Sequence, residues 1–213
     1  MPFCGQYELC GAAVAVWRVT ETPRELSCLV AEEYAEEWRG RFGSDARCCE
    51  WLAVRALLLS LFGPHERIVY DGAGKPSLAN GKYSISISHT DGYALLAYGS
   101  CPFGMDAELM DRNLLPIAKR LLRDDEAWVA TAECANEMLL MRWCVSESLF
   151  KLVGNVGGTF RDNILMESVP LSSSGNISVL LSGVHSCYGD GFVAEYRKLD
   201  GLLVVVCRPA HQF

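Results

Sequence analysis

The segment from residue 83 to residue 99 most strongly constrains the fold of this 213-residue chain. Residues 83–90, YSISISHT, alternate apolar and polar side chains, which is the period of a β-strand with two different faces. Asp91-Gly92 follows, a dipeptide typical of tight hairpin turns, and residues 93–99 form a second, largely apolar run. The pattern predicts a β-hairpin and therefore an antiparallel sheet.

The rest of the chain alternates between strand-like and helix-like patterns. Apolar runs predict further strands at 11–19, 66–71, 103–109 and 201–209. Helical periodicity predicts helices at 27–42, 45–63, 114–122, 124–133 and 136–154. Asp45 is a candidate N-cap, and Gly154 is a stop signal. This order of elements predicts an α+β protein with two halves, 1–100 and 101–213.

Composition and charge narrow the classes of function. Half of the residues are hydrophobic and 21% are charged, as in folded globular proteins. The net charge of −7, without a run of basic residues, argues against a nucleic-acid partner. No apolar run approaches the length of a membrane span, and the first ten residues, MPFCGQYELC, lack a basic leader. We therefore expect a cytoplasmic protein that binds neither nucleic acid nor membrane.

The ten cysteines are irregularly spaced and include no C-x-x-C pair. A disulfide framework is typical of short secreted chains, which this chain does not resemble. We therefore expect reduced thiols that pack as small apolar side chains, and no zinc site.

Two short motifs in the first half carry side chains that suit anionic ligands. Gly74-Lys75-Pro76 is either an ordinary turn or a rigid loop that presents Lys75 to an anionic or adenine-bearing ligand. Ser88-His89, at the end of a predicted strand, is either a strand end with a satisfied histidine or a hydroxyl and imidazole for binding phosphate. Adjacent strand residues point to opposite faces, which argues against Ser88 and His89 as a nucleophile and its base.

Two motifs in the second half carry carboxylates. Asp106 and Glu108, in FGMDAE, lie two positions apart and share one face of a predicted strand, which is either a solvated strand end or a site for a hard cation such as Mg²⁺. Trp143, Glu147 and Lys151 share one helix face. This face holds either an exposed Glu–Lys pair worth about 0.3–0.5 kcal/mol or a third carboxylate with a lysine for a phosphate.

Taken in order, the four motifs read GKP, S-x-S-H-T, G-x-D-x-E and W-x-x-x-E-x-x-x-K. This order resembles the 4′-phosphopantetheinyl transferases, in particular the single-chain surfactin-synthetase type, over residues 45–155. IAKRLLRDDEAW (117–128) is also similar to the helix pair that precedes the W…E…K helix in that family. The resemblance implies a pseudo-dimer of two similar α/β halves that acts as a monomer, with the active site between the halves.

The resemblance also implies an activity and a set of site residues. Such enzymes transfer phosphopantetheine from coenzyme A to a serine of an apo carrier protein and release adenosine 3′,5′-bisphosphate. Asp106, Glu108 and Glu147 match the magnesium ligands, and Glu147 is also a candidate general base. Lys151 matches the lysine that contacts the coenzyme A phosphates. Asp106, Glu147 and Lys151 are therefore the expected catalytic residues.

Further residues match the coenzyme A contacts of the family. His89, with Ser88, matches a phosphate-contacting pair, His89 at the 3′-phosphate. Lys75 and Pro76 match the loop at the adenine end, and Arg47 lies where the family has a basic residue on a helix.

The chain departs from the family pattern at Ser146, where the family has a lysine. The missing cation motivates an alternative: a relative that binds coenzyme A or a carrier protein without efficient transfer. A metal-dependent hydrolase of a nucleotide or pyrophosphate is a third hypothesis, because it shares the carboxylates. The glycine-rich segment 154–160 is either a gate over the site or a plain connector.

Overall fold

A computed structural model describes residues 3–35, 37–155, 159–167 and 172–211. It confirms a mixed α+β fold. The chain forms two compact units, Met1–Cys101 and Pro102–Phe213, which we call unit 1 and unit 2. Part of the glycine-rich segment 154–160, residues 156–158, lies outside the described residues. The described helices include none that is long and apolar enough to cross a membrane.

Unit 1 is built on an antiparallel sheet. Its four strands are β1 (Phe3–Leu9), β2 (Ala12–Arg18), β5 (Ser84–Thr90) and β6 (Tyr93–Gly99), in the spatial order β1-β2-β6-β5. The predicted hairpin is confirmed: Thr90 pairs with Tyr93, and Gly92 has a φ of 73° in the turn between them. The short strands β3 (Ile68–Tyr70) and β4 (Pro76–Leu78) pair separately.

The helices of unit 1 are α1 (Pro23–Ser27), α2 (Glu32–Ala35) and α3 (Asp45–Phe62). The prediction of one helix over 27–42 is wrong, because α1 begins earlier, at a capping box formed by Thr22 and Glu25, and already ends at Ser27. After Ser27, the side chains of Val30 and Tyr34 pack into the core of this unit. This packing, and not local helix propensity, sets the backbone path between α1 and α2.

Helix α3 matches the predicted helix over 45–63, but its N-cap is Ser44 and not Asp45. The Ser44 hydroxyl accepts a hydrogen bond from the backbone N–H of Arg47. Leucines and alanines of α3 pack against the sheet in a single apolar core, and the helix ends at Gly63, directly before Pro64.

Unit 2 also has an antiparallel sheet. Its five strands lie in the order β7-β11-β10-β9-β8 and are β7 (Gly104–Leu109), β8 (Ile164–Met166), β9 (Ser174–Leu181), β10 (Gly191–Leu199) and β11 (Leu202–Pro209). The predicted strands over 103–109 and 201–209 are confirmed as β7 and β11, and these two pair with each other.

The helices of unit 2 are α4 (Ala118–Leu121), α5 (Ala135–Val153) and α6 (Phe160–Asn163). Helix α5 confirms the prediction over 136–154; it packs against β7 and β11 and ends at Gly154, with a φ of 75°. The predicted helices over 114–122 and 124–133 are largely 3₁₀ segments, Leu115–Ile117 and Asp124–Thr131, around the short α4. The extended backbone of Leu122 and Arg123 separates α4 from the second 3₁₀ segment.

Candidate active site

Strand β7 and helix α5 lie unusually close at Gly104. A Cβ atom added to Gly104 would lie 2.0 Å from the carbonyl oxygen of Ser148 and 2.8 Å from the backbone nitrogen of Leu152. Only glycine permits this approach, because a side chain at this position would collide with helix backbone. The glycine of the G-x-D-x-E motif therefore brings the face of β7 that carries residues 104, 106 and 108 directly against α5.

Asp106 lies on this face and pairs with α5. Its side chain is buried, and Oδ1 accepts a hydrogen bond from Lys151 Nζ at 2.8 Å. The thiol of Cys144 lies beside this carboxylate, and its pKa is raised well above the usual value, first by complete burial and then by the charge of Asp106. Lys151 of α5 thus forms an ion pair with a carboxylate of β7. An exposed Glu–Lys pair on a solvated helix face does not describe its contacts.

Glu108, two residues further along β7, contacts the other end of the same helix face. Its Oε1 accepts a hydrogen bond from Trp143 Nε1 at 3.1 Å, and it forms an ion pair with Arg112. The guanidinium of Arg112 also lies over the Trp143 ring, 5.1 Å from its centroid. Asp106 and Glu108 are only 6% and 8% exposed, so the interpretation of the pair as a solvated strand end is wrong.

Glu147 lies between Trp143 and Lys151 on α5 and is half-buried. Burial raises the pKa of the Glu147 carboxyl, and the nearby charge of Asp106 raises it further. Lys151 and Arg112 oppose this shift but do not cancel it. Glu147 is therefore a better proton acceptor than an ordinary glutamate.

The donor chemistry of this group suits a hard cation. Asp106, Glu108 and Glu147 offer only oxygen atoms, which are the ligands that Mg²⁺ prefers. Lys151 and Arg112 pair with two of these carboxylates in the structure. Over residues 3–35, 37–155, 159–167 and 172–211, no three His, Cys, Asp or Glu side chains are already grouped as a metal site. The three residues fit magnesium by donor type, and two of them already have cationic side chains as partners.

Ser146, the departure from the family pattern, bonds to the backbone of its own helix. Its side chain is buried, and its hydroxyl donates a hydrogen bond to the carbonyl of Arg142 at 2.7 Å. Arg142 is itself buried; it forms an ion pair with Glu126 and donates hydrogen bonds to the carbonyls of Arg161 and Ile164. Position 146 thus belongs to a packed structural region of α5.

In unit 1 the structure brings together Arg47 of α3 and His89 of β5. Arg47 Nη1 lies 3.1 Å from His89 Nε2, although the two residues are 42 positions apart. Glu50, one turn after Arg47 on α3, contacts both: its Oε2 lies 2.9 Å from Arg47 Nη1 and 3.4 Å from His89 Nδ1. Arg47 and His89 are exposed, whereas the adjacent Ser88 is buried. His89 and Ser88 therefore do not present one common surface.

Lys75 and Pro76 lie in a hydrogen-bonded turn of the same unit. The Asp71 carboxylate accepts hydrogen bonds from the backbone N–H groups of Ala73 and Lys75, at 2.9 and 2.8 Å. Gly74 has a φ of 83°, and Pro76 begins β4 opposite Tyr70. The local backbone thus holds Lys75 at a defined place next to the β3–β4 ribbon.

Two residues in these groups were missed by the sequence reasoning, Arg112 and Glu50. Arg112 follows Glu108 by four positions just past a strand, where no periodicity indicates that the two side chains meet. Glu50 follows Arg47 by three positions on a helix, and this spacing is a usable signal for an ion pair. Its additional contact with His89 depends on how α3 packs on the sheet.

Comparisons with known proteins do not assign this chain to a family. No protein-family model matches it, and a search of curated proteins found no significant match.

Proposed function

We propose that this protein is a magnesium-dependent 4′-phosphopantetheinyl transferase that converts an apo carrier protein to its holo form with coenzyme A as the donor. The observation that carries the proposal is the group formed by Asp106, Glu108, Glu147 and Lys151, which β7 and α5 hold at a glycine-dependent close approach. Buried carboxylates beside a lysine are the side chains that a metal-assisted reaction of a pyrophosphate requires.

The proposed reaction is a displacement at the β-phosphorus of coenzyme A. The carrier serine oxygen forms a bond to this phosphorus, and the bond from the phosphorus to the bridging pyrophosphate oxygen breaks. Adenosine 3′,5′-bisphosphate leaves with the electron pair, and the serine proton passes to the Glu147 carboxylate.

In this proposal Asp106, Glu108 and Glu147 hold the magnesium ion, which when bound neutralises charge on the pyrophosphate oxygens. Lys151 supplies a fixed positive charge for the phosphates. Arg112, which contacts Glu108 and Trp143, positions that carboxylate against α5. The proposal therefore includes one cation, Arg112, that the sequence motifs do not contain.

The basic residues of unit 1 bind the nucleotide part of coenzyme A in this proposal. Arg47 and His89, which lie within hydrogen-bond distance of each other, bind the 3′-phosphate. Lys75 and Pro76 lie at the adenine, and the contact of Ser88 with a phosphate stays a prediction. The proposal carries with it the pseudo-dimeric transferase fold, a monomeric state and a cytoplasmic location.

Intact-mass spectrometry of an apo acyl carrier protein tests the proposal directly. The carrier is incubated with this protein, coenzyme A and Mg²⁺, and we expect the mass gain of one phosphopantetheine. Asp106→Asn should abolish the gain, because it removes a buried charge of the group. Asp111→Asn, at an exposed carboxylate of the same segment, is the matched control and should retain it. If several apo carriers gain no mass, the transferase proposal is wrong.

The ion pairs of the carboxylates support a second candidate, a binding module without transfer activity. Lys151 and Arg112 already pair with Asp106 and Glu108, so these two carboxylates have cationic partners without a metal. Tight binding of coenzyme A in calorimetry, together with no mass gain on any carrier, would favour this candidate. Release of free phosphopantetheine without a carrier would instead indicate a hydrolase.

A further inference from the structure

Glu50 lies at the point where an anion bound by Arg47 and His89 is expected. One oxygen, Glu50 Oε2, lies 2.9 Å from Arg47 Nη1 and 3.4 Å from His89 Nδ1. The side chain of Glu50 is the least exposed of the three, at 18% against 59% for Arg47 and 41% for His89. The carboxylate thus occupies the inner side of this pair of cationic or donor groups.

The position of Glu50 follows from rigid elements. It lies in the first half of α3, one turn after Arg47, and this end of the helix is fixed by the Ser44 cap. His89 comes from β5, whose register with β6 is continuous from Ser84 to Thr90. Secondary structure therefore fixes the backbone of Glu50 beside the pair, and the contacts with Arg47 and His89 hold its carboxylate there.

A phosphate that binds Arg47 and His89 must share these groups with Glu50 or displace it. Two like charges within about 4 Å repel each other, and the repulsion is moderated where solvent reaches the groups. Asp45 and Glu21 add further negative charge around this end of α3, since both lie close enough to Cys49 to raise the pKa of its thiol. The affinity of Arg47 and His89 for a phosphate is therefore lower than it would be without these carboxylates.

We infer that Glu50 sets how much the 3′-phosphate contributes to coenzyme A binding. This inference rests on the proposed function. Glu50 acts as an internal anion that competes with the 3′-phosphate at Arg47 and His89, so the protein binds coenzyme A and 3′-dephospho-coenzyme A with similar affinity. The residue is thus a specificity determinant of the nucleotide end and takes no part in the chemical step.

Calorimetric titration of both ligands against the wild-type protein and Glu50→Gln tests this role. Glutamine keeps the size of the side chain and removes its charge. We expect the affinity ratio of coenzyme A to 3′-dephospho-coenzyme A to rise about tenfold in the variant, entirely through tighter binding of coenzyme A. Glu8→Gln, at an exposed glutamate of β1, is the control and should leave the ratio unchanged.

The opposite result overturns the inference. If the ratio falls in Glu50→Gln, the carboxylate orients Arg47 and His89 for the phosphate; if it stays constant, Glu50 has no role in specificity. Failure of both ligands to bind the wild-type protein refutes the proposed function itself. The competition is then measured with inorganic phosphate, whose stabilisation of the fold against heat should be greater in Glu50→Gln than in wild type. Equal stabilisation overturns the inference in that case too.

Discussion

Substitution of Gly104 by alanine should disrupt the approach of β7 to α5. The added Cβ atom would lie 2.0 Å from the Ser148 carbonyl oxygen and 2.8 Å from the Leu152 nitrogen, and both are helix backbone atoms that no side-chain rotation can move. Overpacking of a core usually costs about 1–3 kcal/mol, and a collision with backbone belongs at the upper end of that range or beyond it. We expect Gly104→Ala to lower the free energy of unfolding by about 3 kcal/mol, or roughly 6–12 °C in Tm.

Urea denaturation followed by circular dichroism measures this loss. The matched control is Gly72→Ala, because Gly72 has an ordinary φ and a Cβ there would meet no atom within 4 Å. The control should stay within about 0.5 kcal/mol of wild type. A loss below about 1 kcal/mol for Gly104→Ala, with an unchanged denaturant slope, would show that β7 and α5 are not held as closely as described.

Three other predictions concern ionisable and buried groups. Because the pKa of Glu147 is raised in the fold, the contribution of this carboxyl group to stability is full below pH 4.5 and is lost as the pH rises through the raised value. With a metal chelator present, Glu147→Gln should therefore increase the urea midpoint at pH 7 and leave it unchanged at pH 4. Burial raises the pKa of Cys49 to about 11 from 9.0, so wild type should lose more stability between pH 9 and pH 11 than Cys49→Ala, and equal losses would contradict the burial of this thiol. Ser146→Lys should destabilise the protein without accelerating transfer, since the Ser146 hydroxyl is buried against the Arg142 carbonyl, and a large gain in rate at unchanged stability would show that a cation is missing there.

The burial of the cysteines follows the expectation from the sequence only in part. Cys48, Cys49, Cys144 and Cys207 are buried, whereas Cys4, Cys28, Cys101 and Cys187 are exposed. No disulfide joins any of the ten cysteines, all of which lie in the described part of the chain. Which of them are buried depends on the packing of the elements that carry them.

Local sequence signals were sufficient to predict elements that form their backbone hydrogen bonds locally and have one clear apolar face. The hairpin of β5 and β6 was predictable from its alternation and its Asp91-Gly92 turn, and α5 from its length, its periodicity and its glycine stop. The segments over 27–42 and 114–133 were not predictable in this way. Their short helical and 3₁₀ turns are set by packing into the core, which overrides helix propensity.

The sequence by itself determined the α+β class, the main hairpin, the two long helices and the presence of Asp106 and Glu108 on one strand face. These features depend on side-chain period and turn chemistry, which act between near neighbours. Only the tertiary structure decided that Lys151 meets Asp106, 45 positions away, and that Arg47 meets His89, 42 positions away, with Glu50 between them. Such pairs form because the packing of a helix on a sheet fixes which side chains face each other, and no local pattern contains that information.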